Sequence, residues 1–340
     1  MPITYAEGDA VTLTALALDT TAAPPAVAVD SDAWRSLFNR AQFHRLNRRP
    51  GQQIVGIEVR DDDGRLLGGL AGMRTGDELV SGFSAPFGGL DLVDTHATAE
   101  TVQAVVDGSV RELESAGVRR ITVKLPPASS SANEGLLQFF LLNAGFRVVR
   151  TELNQAIRVE RWRSVGDYVD ELRPVTRKAL RRLAAEDLWL REATDVEGVR
   201  RGYDLLAANR AAKGRRLALS QDYVVSAWRA LAPAVRMFEL CHGHIPVAAA
   251  LVYRVAAGRD LVVAWGDGPH DLPRSPMVTL AHDLVERAVQ EGVALLDLAI
   301  SNEPDEDEDG RLRPNVGLTR FKRSVLATVE PRFTVVREMS

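Results

Sequence analysis

From Ile54 the apolar positions fall into short runs separated by turn residues: IVGIEVR, a turn at residues 61–64, LLGGLAGMR, a turn at residues 75–77, and ELVSGF. Runs of this length, rich in branched residues and closed by glycine-containing turns, predict three antiparallel strands. The spacing then lengthens to that of a helix over residues 99–115, opened by Thr98 and Glu100, and AGVRRITVKLP returns to a strand over residues 118–125. From Val235 the order recurs. Residues 242–301 read as a hairpin of two long apolar strands, a loop at residues 271–276, an amphipathic helix, and a strand ending at Asp297 and Ser301. The two stretches align Gly64 with Gly243 and Gly117 with Gly292, so the pattern predicts one α/β unit used twice.

The remaining segments fit around this repeat. A strand is expected at residues 10–18 and a proline-rich turn at 20–25. Asp32 is placed to cap a helix over residues 33–41 with Trp34, Leu37 and Phe38 on one face, and residues 44–51 read as a basic loop. A helix at 134–142, stopped by Gly145, precedes strands at 146–150 and 154–160. The second half is expected to begin near Ser164 with two short helices split at Pro174, the second of them basic through Arg177, Lys178, Arg181 and Arg182. A strand at 189–192, helices reaching Asn209 and spanning 221–231, and a final strand at 328–337 complete it. The expected domains are residues 1–163 and 164–340. The fold class is α/β (α+β), with two mainly antiparallel mixed sheets flanked by helices.

Composition narrows the functional classes. The chain has 340 residues, 46% of them hydrophobic and 26% charged, which suits two hydrophobic cores better than one. A net charge of −4 argues against a broad nucleic-acid surface and leaves room for local basic patches. The single cysteine, Cys241, lies in the apolar run MFELC and reads as a buried small hydrophobe. No segment reaches the length of a membrane span and the N-terminus has no basic-then-apolar leader, so a cytoplasmic protein without membrane insertion is expected. His242, His244, His270 and His282 match no metal-ligand spacing, and no metal is expected. Residues 305–310, DEDEDG, match the start of a calcium loop. Val316 stands where the twelfth-position glutamate belongs, so a mobile acidic loop beside the site is the better reading.

Three short signatures carry a resemblance. They are Leu296-Asp297-Leu298 followed by Ser301 and then Gly317-Leu-Thr-Arg-Phe321-Lys322; Arg274-Ser275-Pro-Met-Val-Thr before a helix; and Ser84-Ala-Pro-Phe87-Gly88-Gly89 at the equivalent place in the first half. With the order of elements, they make the chain similar to tandem GNAT proteins of the Fem-like group, which includes tRNA-dependent peptidoglycan aminoacyltransferases. The resemblance implies an N-acyltransferase, with the donor and the chemistry in residues 164–340 and the acceptor side in residues 1–163. It implies no tightly bound cofactor, an aminoacyl-tRNA or acyl-CoA cosubstrate, and a small-molecule or peptide amine as acceptor. An acyl-CoA GNAT has a glycine-rich pyrophosphate loop before this helix; residues 274–279 lack both glycines, which favours aminoacyl-tRNA. An acyl-CoA N-acetyltransferase with an atypical loop, and a non-catalytic double-GNAT binding protein, are the alternatives. Oligomeric state is not legible.

Within that frame Lys322 stabilises an oxyanion or binds a donor phosphate, or is an ordinary exposed lysine. Asp297 orients or deprotonates the amine, or caps a loop. Arg274 and Ser275 lie where a phosphate docks, while Ser301 and Asn302 either bind a substrate carbonyl or cap a turn. Phe321 stacks on the cosubstrate or belongs to the core, and Phe87, Gly88 and Gly89 line an acceptor pocket or form a plain turn. Arg177 and Lys178 grip tRNA phosphates or are a solvated face, and Arg210, Lys213, Arg215 and Arg216 extend the same charge.

Overall fold

The computed structural model describes residues 12–17, 35–306 and 311–339. Its first unit, residues 1–151 with 332–340, contains β1 (Thr12–Ala17), α1 (Ala41–Asn47), β2 (Gln53–Arg60), β3 (Leu66–Thr75), β4 (Glu78–Ser81), β5 (Leu90–Leu92), α2 (Ala99–Ser115), β6 (Arg120–Lys124) and α3 (Glu134–Asn143). β7 (Arg147–Arg158) carries the chain into the second unit, residues 152–331. There follow α4 (Val165–Glu171), α5 (Pro174–Leu183), β8 (Leu188–Glu192), α6 (Val196–Ala212), α7 (Gln221–Ala230), β9 (Val235–His242), β10 (Ile245–Ala256), β11 (Arg259–Asp267), α8 (Met277–Gln290), β12 (Leu295–Ile300), β13 (Asn302–Glu306), β14 (Leu312–Pro314) and α9 (Val316–Ser324). β15 (Thr328–Glu338) ends in the first unit, where Thr334 to Glu338 pair antiparallel with β6.

The repeat seen in the sequence is a repeat of structure. In the first unit β2, β3 and β4 form an antiparallel meander, α2 crosses back, and β6 pairs parallel with β4. In the second, β9, β10 and β11 form the meander, α8 crosses back, and β12 pairs parallel with β11. Both crossover helices end alike. Gly117 and Gly292 have φ of 66–75°, a conformation that a Cβ disfavours. The following N–H groups, of Val118 and Val293, bond the carbonyls of Leu113 and Ala288 at 3.0 and 2.8 Å.

Each helix also buries one face. Val102, Val105, Val106 and Leu113 of α2 pack on Ile57, Leu70, Leu79 and Val123, while Leu280, Leu284, Val285 and Ala288 of α8 pack in a core with Phe238, Val252, Val262 and Leu296. Burying one such large side chain contributes about 1.5–3 kcal/mol.

Several boundaries differ from the sequence reading, each for a non-local reason. The units divide at 151/152 rather than 163/164, inside a strand read as two, and residues 332–340 return to the first unit because Val335 and Met339 join its core. The basic stretch after His44 is not loop from its start. α1 forms there because Phe43 and His44 are buried at 1% and 0% exposure. Upstream, only a single 3₁₀ turn, Leu37–Asn39, replaces the expected helix, since Arg40 is extended at ψ 142°; Asp32 and Trp34 lie outside the described residues.

The second unit carries a dense ion-pair network. Arg236 makes paired hydrogen bonds to Glu192 and to Glu291, and Arg254 and Arg287 reach Glu291 at 2.6 and 2.7 Å. These guanidinium contacts, the Arg236 bond first, pull the Glu291 carboxyl down to about 2 against its partial burial.

Candidate functional site

β11 and β12 run together only at their first three residues, where Arg259, Asp260 and Leu261 pair with Leu295, Leu296 and Asp297. Beyond them a cavity of about 480 Å³ opens. One wall is Val262, Val263, Trp265, Gly266 and Asp267; the other is Leu298, Ala299 and Ile300; α9 contributes Leu318, Phe321 and Lys322. Arg210, Lys213 and Arg215 bring positive charge from the end of α6, and Ser275 and Met277 come from the entry to α8.

The gap exists because β12 departs from regular pairing. Its register with β7 shifts between Asp297 and Ile300, and Ala299 has φ +61°, a left-handed conformation unusual for alanine. Two buried charged side chains hold that peptide from either side. Asp297 Oδ1 accepts the Ala299 N–H at 2.7 Å and an Asn154 Nδ2 bond at 3.0 Å. Lys322 Nζ donates to the Ala299 and Ile300 carbonyls at 2.8 and 2.9 Å. Lys322 is 1% exposed and Asp297 is 3% exposed. The two residues singled out from the sequence thus act on the same bulge.

Of the other sequence candidates, Ser275 and Phe321 line the cavity with Lys322. Phe321 packs on Trp265 with ring centroids 5.5 Å apart, and Ser275 Oγ donates to Asp267 Oδ2 at 2.9 Å. Asp297, Arg274, Ser301 and Asn302 are not among its lining residues. Arg274 is exposed; Ser301 Oγ is taken by Gln155 Oε1, and Asn302 Oδ1 accepts the Leu153 N–H. In the first unit Phe87 is a buried residue, edge-on to Phe38 at 5.1 Å. Gly88 is there for close packing, since a Cβ would lie 2.3 Å from the Gly82 nitrogen, and Gly89 N–H bonds Ser81 Oγ. Arg177 bonds the Leu172 carbonyl and Lys178 is exposed on α5.

Sequence reasoning missed Asp267, the carboxylate of the cavity. Asn209 Nδ2 donates to its carbonyl and to Oδ1, which fixes it beside Ser275. Its signal was only the strand-ending WGDG. Arg210, Lys213 and Arg215, expected to extend the phosphate-gripping charge of Arg177 and Lys178, line this cavity; burial and the neighbouring Arg215 push Arg210 below its ordinary range, and Arg215 is paired with Glu303. Residues 307–310 of the acidic loop lie outside the described residues. His282, Asp283 and Glu286 bring their ligand atoms within 4.8 Å of one another, but on α8 away from the cavity lining.

Every residue of this cavity falls inside residues 171–323, which match the family model of the acetyltransferase (GNAT) domain. A crystal structure of FemX is similar over 89% of this chain and 92% of its own, with a TM-score of 0.67 at 11% identity. The C-terminal domain of a putative lysylphosphatidylglycerol synthetase from Agrobacterium fabrum matches over 88% and 87%, with a TM-score of 0.52 at 15% identity. The structure of L-PGS from Bacillus licheniformis matches over 84% and 83%, with a TM-score of 0.50 at 10% identity. No curated protein matches the sequence. Residues 171–323 are therefore a GNAT-type acyltransferase domain, and the chain as a whole shares the fold of FemX. No described helix is long and apolar enough to cross a membrane.

Proposed function

We propose that the protein is an N-acyltransferase whose second unit takes an activated acyl or aminoacyl donor into the cavity between β11 and β12 and transfers the group to an amine. The observation that carries this reading is the gap itself, held open at Ala299, with cationic groups at Arg210, Lys213, Arg215 and Lys322. Such a site suits the phosphates of a donor at one end and a reacting carbonyl at the other. The amine attacks the donor's carbonyl carbon, and the tetrahedral oxyanion is stabilised by the fixed charge of Lys322. Collapse releases the donor's alcohol or thiol. Asp267, inside the cavity and hydrogen-bonded by Ser275, is better placed than Asp297 to receive the amine's proton, which then passes to the leaving group. Asp297 becomes a positioning residue for Ala299.

Aminoacyl-tRNA is the favoured donor because residues 274–279, at the entry to α8, lack both glycines of an acyl-CoA pyrophosphate loop, and Pro276 occupies the N-cap. One observation favours acyl-CoA instead: Met277, the first residue of α8, lines the cavity, so the helix N-terminus opens towards a bound pyrophosphate. Incubation with labelled aminoacyl-tRNA or labelled acyl-CoA and a panel of primary amines is expected to yield labelled amide from one donor, at a rate that Asp267→Asn lowers by about a hundredfold or more. Equal rates for wild type and Asp267→Asn would remove Asp267 from the mechanism. Failure of both donors would favour the non-catalytic binding protein.

A further inference from the structure

Helix α9 has a second cavity on its other side. While Leu318, Phe321 and Lys322 face the gap between β11 and β12, Val316, Thr319, Arg320 and Arg323 line a separate open cavity of about 420 Å³ together with Arg173 and Pro314. Three of its six lining residues are arginines, and none of the three has a carboxylate partner or a side-chain hydrogen bond among the described residues. Elsewhere in this unit Arg191, Arg236, Arg254 and Arg287 are paired with buried or half-buried carboxylates, whereas Arg173, Arg320 and Arg323 are exposed. Thr319 Oγ1 is likewise buried without a hydrogen-bond partner among the described residues, and Pro314 and Val316 supply an apolar side, Val316 at 62% exposure.

Concentrating like charge in a concave site raises the free energy of the empty protein unless an anion completes it. Guanidinium groups offer paired donors that match phosphate oxygens. We propose that the cavity formed by Arg173, Arg320, Arg323 and Thr319 is a binding subsite for the phosphate or pyrophosphate group of a small ligand. The concavity favours a small ligand over an extended polyanion, which a convex row of cations would serve as well. Because one helix, about 10 Å across, separates this cavity from the other, the ligand held here is the second substrate of the transfer; that last step rests on the acyltransferase reading.

The test is calorimetric titration with inorganic pyrophosphate of a protein carrying Arg210→Ala and Arg215→Ala, which removes competing cations from the first cavity. One pyrophosphate per chain is expected to bind, and adding Arg320→Ala and Arg323→Ala should weaken it by roughly a hundredfold at an unchanged Tm. Unaltered binding after the two α9 substitutions, or no binding before them, overturns the proposal. So does tight binding of a single-stranded RNA at Arg320 and Arg323 that pyrophosphate fails to displace, since the partner is then a polyanion. Pyrophosphate binding is read without turnover, so loss of the acyltransferase reading would leave this result standing.

Discussion

Lys322→Met is expected to lower stability by about 2–4 kcal/mol and to take transfer to background, the largest combined effect of any single substitution in the cavity. The side chain is 1% exposed, and its ammonium bonds two carbonyls, of Ala299 and Ile300. Methionine fills the volume but leaves both carbonyls without that donor in a site with little access to water. On the other side of the same peptide the buried Asp297 carboxylate accepts the Ala299 N–H. Urea denaturation measures the stability loss, and near-UV circular dichroism identifies conditions in which the variant remains folded for rate measurements. A stable, fully active Lys322→Met protein would return Lys322 to an incidental buried charge. A folded but inactive one is the expected result.

Glu291→Gln is expected to cost about 1–2 kcal/mol at pH 7, since solvent at this exposed residue screens part of the pairing, and the cost should depend on pH in a defined direction. Hydrogen bonds from Arg236, together with Arg254 and Arg287, hold the folded-state carboxyl near 2, against a starting value of 4.5. Since the folded value is the lower one, the stabilisation is complete above the unfolded value and is lost as pH falls from about 4.5 towards 2. Wild type and variant should therefore differ by a nearly constant amount between about pH 7 and pH 5, and by about half as much near pH 3. Urea titrations across that range supply the comparison. A gap that widened on acidification would mean that the arginine network does not set the carboxyl's titration.

Much of the architecture was legible because its signals are local. Gly117 and Gly292 mark helix ends by a conformation that glycine adopts without a steric penalty, and the flanking periodicity gives strand, helix and strand in order. Thr98 was readable as a helix start for the same reason and accepts the expected backbone hydrogen bond, from Thr101; Ser164, which caps α4 in the same way, was not read as a cap. The parts that stayed hidden depend on contacts distant in sequence. The period of β12 says which face Asp297 shares with Leu295, but not that the pairing with β7 shifts at that point and turns the carboxyl onto the Ala299 N–H. Lys322 was found as a residue, while its bonds to carbonyls 22 and 23 positions earlier were not. Asp267 was passed over because a strand-ending Gly-Asp-Gly reads as a turn; its value comes from Asn209 and Ser275 packing beside it. The return of residues 332–340 to the first unit is equally non-local, being set by pairing with β6 more than 200 residues earlier.

The central claim is that the gap between β11 and β12 is where an acyl donor binds. Native mass spectrometry of the wild-type protein against a mixed pool of acyl-CoA and a stable amide analogue of aminoacyl-tRNA tests it most directly, with Leu318→Trp, which adds bulk to the cavity wall, as the comparison. One donor molecule per wild-type chain is expected, and its loss from Leu318→Trp at an unchanged Tm. Absence of both donors from the wild-type protein, or undiminished binding by Leu318→Trp, would contradict it.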